Sequence, residues 1–235
     1  MVQFEITFAR HGESVFNKGK LVQGQTDSPL SEEGELQAQY LAKRMSNEVF
    51  DYVFVSDLTR AQQTAEAILK SLTTPPREII KEVKLRERHF GDREGMHISD
   101  YRAWLKERGL SFRSHEPEGG ESFPAAKERI VNAFNDICEK LLVEEGAVEN
   151  SSLLRVLVVG HGLLYKELYC HFIDTLCTDI PGGKERVKQD SANTSLSRFL
   201  VDYSGKAPPL VKCQFLYDYS HLPEEMQKAL PSKAY

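Results

Sequence analysis

Apolar positions change their period along the chain, and each change marks an element. QFEITFA (3–9) alternates and is rich in β-formers, which predicts a first strand. From Ser31, SEEGELQAQYLAKRMSNEVF opens on a capping residue with early acids and returns Leu36, Tyr40, Leu41 and Met45 at helical spacing. DYVFVS (51–56) is a second short apolar strand. DLTRAQQTAEAILKSL (57–72) is a second amphipathic helix, with Asp57 placed to cap it and TTPPRE to stop it. A third extended stretch, EIIKEVKL (78–85), runs into RERHFGDREG, too charged and too broken by glycine to be core. A short helix around SDYRAWLKER, a loop at EPEGGES and a long helix from about Phe123 to Glu145 follow. LLRVLVVGHG is a nearly continuous β-branched run, the pattern of a parallel strand buried on both faces. The helix LLYKELYCHFIDTL comes next, then two late strands, TSLSRFLVDY and PLVKCQFLYDY, which SGKAPP would join as a hairpin.

Strands alternating with helices predict an α/β fold: a three-layer αβα sandwich around a mostly parallel central sheet. No repeat or low-complexity tract interrupts it, so the expectation is one domain over residues 1–235, with an insertion at about 96–120 lying over the sheet edge.

Composition narrows the function classes. The 235 residues are 40% hydrophobic, enough for a sizeable core, and the formal net charge is -5. That field would gather neither nucleic acid nor an anionic membrane, so no such partner is expected and any bound anion must be held by local charges. Cys138, Cys170, Cys177 and Cys213 lack CxxC spacing and fall in segments that pattern as helix or strand, which fits reduced, packed thiols. The N-terminal strand pattern contains Glu5 and lacks the basic and apolar regions of a signal peptide. No eighteen apolar residues run together, and a cytoplasmic protein is expected. No heptad seam is left over that would define an oligomer.

Sites in open α/β sheets form outside the carboxyl ends of the strands. Here the first strand ends in ARHG, the second in SDLTR, the third in LRERHFG and the fourth in GHG. Parallel neighbours would therefore gather Arg10, His11, Arg60, Glu87 and His161 in one pocket. Two guanidiniums match the oxygens of a phosphate. One imidazole can attack phosphorus while the other donates to an equatorial oxygen, and cationic neighbours keep the nucleophile's lone pair unprotonated. The carboxyl group can protonate a leaving alkoxide and later accept a proton from water. Each residue alone is more often a solvated or hydrogen-bonded surface group; their coincidence at one edge changes the odds. A metal centre is the rival use of His11, His161 and Glu87, but the arginines would repel a cation and no HxxxH or HxH spacing occurs, so no metal and no cofactor is expected.

The stretch FARHGESVFN resembles the signature of the histidine phosphatase superfamily, also called phosphoglycerate mutase-like. The resemblance continues in order through DSPLSEEGELQAQ, VSDLTRAQQTAEAI, LRERHFGDREG, GGESFPAAKERI and VLVVGHG, spanning most of residues 4–165. It implies a metal-independent phosphoenzyme in which His11 carries the phosphoryl group, Arg10, Arg60 and His161 hold its oxygens, and Glu87 donates the proton. It also implies that Asn17, Gln23 and Gly24 line the substrate mouth, with further backbone donors around Gly12 and Gly162. The family's mutases follow ERHYG with GLNK and use a later pair of adjacent arginines. Here Phe90 stands in the tyrosine position, Ile98 where the lysine would be, and no adjacent arginine pair occurs in 96–120, which favours a phosphatase. LVQGQTDSPLS, LRERHFG, EPEGGES and NTSLSRF look most like the fructose-2,6-bisphosphatase members. This implies a small-molecule phosphoester substrate, the 2-phosphate of fructose 2,6-bisphosphate or a related glycolytic ester. Arg102, Lys106, Arg108 and Arg113 are candidates for a second phosphate, although charges on an insertion helix are usually a solvated face. A phosphoglycerate mutase or bisphosphoglycerate phosphatase, a phosphatase of phosphoserine or phosphotyrosine, and a non-catalytic phosphate-binding regulatory module are the alternatives.

Overall fold

The alternation at the start of the chain becomes a nine-residue strand, β1 (Val2–Arg10), that runs through the middle of a six-stranded sheet. This computed structural model describes residues 1–145 and 153–228. After the short helix α1 (Val15–Lys18) come α2 (Glu32–Met45), β2 (Tyr52–Val55), α3 (Thr59–Ser71) and β3 (Glu78–Lys81). The chain continues through α4 (Ile98–Glu107), α5 (Phe123–Glu145), β4 (Leu154–Gly160), α6 (Gly162–Asp174), α7 (Gly183–Val187), β5 (Leu196–Tyr203), β6 (Leu210–Asp218) and α8 (Glu224–Lys228). The sheet order is β3-β2-β4-β1-β5-β6. The first four strands are mutually parallel and the β5–β6 hairpin adds two antiparallel strands.

Alternate residues of each strand feed opposite cores. Phe4, Ile6, Phe8, Phe54, Val156 and Val158 face the cluster that includes residues of α5 and α6. Ala9, Val53, Val55, Leu157 and Val159 face Leu41, Met45, Ala61, Ala65 and Ile68 of α2 and α3. The sheet is therefore covered on both faces, as the alternation of elements predicts. A third cluster joins Val22 and Phe90 to Tyr101, Leu105, Trp104 and Phe112 of the 96–120 segment. Arg88, with 0% exposure, ties that segment down by donating to the carbonyls of Glu121 at 2.8 Å and His115 at 2.8 Å, with Phe123 under its guanidinium at 4.2 Å.

Several local expectations change. The third strand ends at Lys81, and Val83–Leu85 forms a 3-10 turn, so Glu87 arrives on a loop. Asp57 does not cap α3: its carboxylate is held by Arg86 at 2.6 and 2.7 Å, because a bidentate guanidinium outcompetes the helix end for it. Asp27 caps α3 from another loop, accepting from Thr59 N at 2.8 Å. Cys177 lies outside every helix and strand and is exposed, while the other three cysteines occupy α5, α6 and β6.

Candidate active site

The carboxyl ends of β1, β2 and β4 meet the loop after β3 around a cavity of about 950 Å³. Arg10, His11, Asn17, Gln23, Gly24, Arg60, Glu87 and Gly162 line it. His161, at 0% exposure, stands just outside that lining, its ring centroid 5.1 Å from that of His11. All nine sequence-predicted residues therefore gather in one region.

Each imidazole has one nitrogen occupied. His11 Nδ1 donates to the carbonyl of Gly12 at 2.6 Å, which leaves Nε2 with a lone pair. On His161 it is Nε2 that meets Ser56 Oγ at 2.8 Å. Ser56 Oγ also accepts from Leu58 N at 3.5 Å and keeps one proton to give; the tautomer in which it donates to His161 Nε2 carries the His161 hydrogen on Nδ1. Both imidazoles are held well below the usual histidine range. Burial is the largest cause for each, followed by the Arg60 guanidinium. Both rings are neutral at physiological pH.

The guanidiniums are half-used in the same way. Arg60, 1% exposed, donates to the carbonyls of Gly24 at 2.8 Å and Thr26 at 3.3 Å, and burial lowers its pKa to about 10, which leaves it charged at neutral pH. Arg10 donates to the carbonyl of Ser191. Gly162 makes room for this arm, since a Cβ there would lie 3.1 Å from Arg10 Nε. Four buried donors, Arg10 Nε, Arg60 Nε, His161 Nδ1 and Gln23 Nε2, have no acceptor among the described residues. Leaving such groups unpaired costs about 1–3 kcal/mol each, and all four belong to residues that line or border the cavity of His11, which suits it to an anion.

Glu87 is fixed by two backbone donors, Arg88 N at 2.8 Å and Leu163 N at 3.2 Å in the first turn of α6. Its loop is held from α5, where Arg129 donates to the carbonyls of Arg86 at 2.7 Å and Glu87 at 3.1 Å. No group of three or more His, Cys, Asp or Glu side chains among the described residues is arranged to hold a metal ion.

Residues that the sequence did not single out support these groups. Asn193 Nδ2 donates to the carbonyl of His11 at 3.0 Å, and Thr64 Oγ1 accepts from Gly12 N at 3.0 Å. Glu94 accepts from Gln25 N, Thr26 N and Phe90 N at 2.9, 2.7 and 2.8 Å, fastening the loop whose carbonyls hold Arg60. Gly24 has a φ of +55°, and a Cβ there would fall 2.0 Å from Glu94 Oε1. Gly12 is small for a packing reason, since its Cβ would meet the Gly34 carbonyl oxygen at 2.6 Å. Asn17 Oδ1 accepts from Ser14 N at 3.2 Å, and Ser14 Oγ donates to Gln23 Oε1 at 2.7 Å, which turns the Gln23 amide N–H group to other acceptors. Of the four insertion cations, only Arg113 lines the cavity.

Comparison with known proteins agrees with this geometry. The family model for the histidine phosphatase superfamily (branch 1) matches residues 6–213. The chain is 33% identical to fructose-2,6-bisphosphatase TIGAR of Xenopus tropicalis over 94% of its own length and 96% of that protein. It is 35% identical to the probable phosphoglycerate mutase GpmB of Photorhabdus laumondii over 85% of each. Its fold superposes on a phosphoglycerate mutase from Bacillus anthracis with a TM-score of 0.75 at 23% identity, covering 94% of this chain and 95% of the other. With most of its length matched in sequence, the chain belongs to the histidine phosphatase superfamily.

Proposed function

We propose that the protein is a metal-independent phosphatase of a sugar phosphate, working through a phosphohistidine at His11. The four buried nitrogens without partners, on residues that line or border the cavity of His11, carry this reading. Nε2 attacks phosphorus, the P–O bond to the substrate breaks, and Glu87 as its carboxylic acid protonates the departing alkoxide. Arg10, Arg60 and His161 Nδ1–H hold the three phosphoryl oxygens during transfer. Asn17, Gln23 and the backbone around Gly24 and Gly162 border the incoming group. The Glu87 carboxylate then takes a proton from water, which attacks phosphorus, breaks the N–P bond and releases phosphate.

The substrate we favour is fructose 2,6-bisphosphate, cleaved at its 2-phosphate, because the relative matched over nearly the whole chain carries that activity in its name. A cytoplasmic role in regulating glycolysis follows from that substrate; no described helix is long and apolar enough to cross a membrane. The 96–120 segment is read as a cap on a single domain, since Ile98, Phe112 and Arg113 form one wall of the cavity. The apolar Ile98 on that wall supports hydrolysis over mutase chemistry, where a lysine would grip the glycerate.

His11→Ala lowers kcat by at least about a thousandfold and abolishes an acid-labile phosphoprotein in stopped reactions with labelled substrate. Full activity of that variant would sink the reading. Isomer exchange of phosphoglycerate outrunning phosphate release would move it to a mutase.

A further inference from the structure

His11 stands one residue past the end of β1, where the sheet no longer fixes its backbone on both sides. Its N–H still donates to the Gly160 carbonyl at 3.0 Å, but its own carbonyl is taken by the segment that leads into β5. Asn193 Nδ2 donates to it at 3.0 Å and Thr194 N at 3.3 Å. The N–H at the other end of the same peptide, that of Gly12, donates to Thr64 Oγ1 at 3.0 Å. The His11–Gly12 peptide plane is therefore held at its oxygen by residues 193 and 194 and at its nitrogen by α3.

That plane governs the imidazole. The ring Nδ1 donates to the carbonyl of the next peptide, that of Gly12. Because peptide units are rigid, turning the His11–Gly12 plane displaces this carbonyl, and the ring turns with it or loses the bond. Gly12 offers little resistance of its own, since a residue without Cβ tolerates a wide range of backbone angles. Attack on phosphorus needs Nε2 in line with the leaving oxygen, and a misplacement of about 1 Å costs on the order of a hundredfold in rate.

The segment that supplies the clamp is itself fixed. Thr194 is fully buried with a φ of +60°, a left-handed conformation unfavourable for a β-branched residue. Its Oγ1 is bonded to the Asn193 carbonyl at 2.7 Å and to His221 Nε2 at 3.1 Å. The same segment reaches Arg10, whose N–H donates to the Ser195 carbonyl at 3.1 Å and whose guanidinium donates to that of Ser191. Asn193 is the member that holds His11 through its side chain, and its Nδ2 also lies 3.4 Å from Oδ1 of Asn17, which lines the cavity.

We propose that Asn193 is a positioning residue for phosphoryl transfer: its amide, with Thr64 at the opposite end of the plane, fixes the direction in which His11 presents Nε2. The inference rests on the phosphohistidine reading above.

The test compares wild type, Asn193→Ala, Asn193→Asp, Thr64→Val and the double variant Asn193→Ala/Thr64→Val. Rapid quench with labelled p-nitrophenyl phosphate, whose leaving group does not need the Glu87 proton, measures phosphohistidine formation. Inhibition by inorganic phosphate reports the arginine cradle. Asn193→Ala slows phosphohistidine formation about tenfold or more and leaves phosphate inhibition within about twofold. The double variant loses little more than the worse single one, because both substitutions release the same plane. Asn193→Asp keeps the size of the side chain but cannot donate, so it is slowed similarly. Its charge also favours the His11 imidazolium, which moves the acid limb of the kcat/KM profile to higher pH. The aspartate variant decides the matter if the alanine variant does not fold. Unchanged phosphohistidine formation, phosphate inhibition that weakens in step with the rate, or losses that multiply in the double variant would each overturn the inference and leave the functional reading standing. If wild type forms no phosphohistidine, both fall.

Discussion

Each imidazole of the site is fixed by one hydrogen bond that also decides what its other nitrogen does. Gly12 carbonyl fixes His11 with Nε2 open, and a proton given by Ser56 to Nε2 of His161 would favour the tautomer with its hydrogen on Nδ1. Ser56→Ala removes that tautomer preference while leaving the ring buried, so kcat drops about tenfold to a hundredfold with KM little changed, measured by steady-state kinetics on one phosphoester. A fall in KM alone would contradict it. Glu13 and Ser14, next to the histidine in sequence, turn out to be structural. Glu13 accepts from Ser31 Oγ at 2.6 Å at the start of α2, and Ser14 caps α1. Arg10, His11, Arg60, Glu87 and His161 were legible because they follow four apolar strands in turn, within the short stretches that resemble the family's motifs. Ser56 was not, since a serine acquires its role only from the histidine 105 positions away.

At the scale of elements, the site depends on a loop clasped from two sides. Gly24 and Thr26 offer their carbonyls to Arg60, and the backbone N–H groups of Gln25 and Thr26 are taken by Glu94. In Glu94→Gln one acceptor oxygen becomes an N–H donor facing other donors, so the loop shifts and Arg60 loses its register. The expected outcome is a fall in kcat of about tenfold or more, together with weaker inhibition by inorganic phosphate; Glu94→Asp recovers part of both. Unchanged phosphate inhibition would show that Glu94 does not position Arg60. The periodicity of α2, α3, α5 and α6 was legible from apolar spacing. The cap of α3 was not: Asp57 is the nearer residue in sequence, yet Asp27, from 32 positions upstream, makes the bond.

For the molecule as a whole, neutral buried histidines make the fold acid-sensitive. Burial lowers His11, His161 and, to about 4, His221, which shares a hydrogen bond with Thr194 at 3.1 Å beside the His11 loop. Below pH 6.5 the unfolded chain takes up protons that the native state refuses, so this stability is complete above about 6.5 and is lost progressively as pH falls towards 4 and lower. Urea midpoints measured from about pH 7.5 to about pH 4.5 decline accordingly, and His221→Asn removes part of the slope. A midpoint flat over that range would refute the assignment. The α/β class, the succession of polar groups after apolar strands along the chain and the family were determined by the sequence alone. Hydrophobic period and residue type are local properties, and the active-site motifs lie within short contiguous stretches. Only the tertiary structure decided which nitrogen of His11 is open, which carboxylate fastens the arginine loop, and which buried nitrogens of the site are left without partners among the described residues. Those depend on hydrogen bonds and ion pairs between groups far apart in sequence, and every partner available to a polar group must be in place before it is known which one it takes.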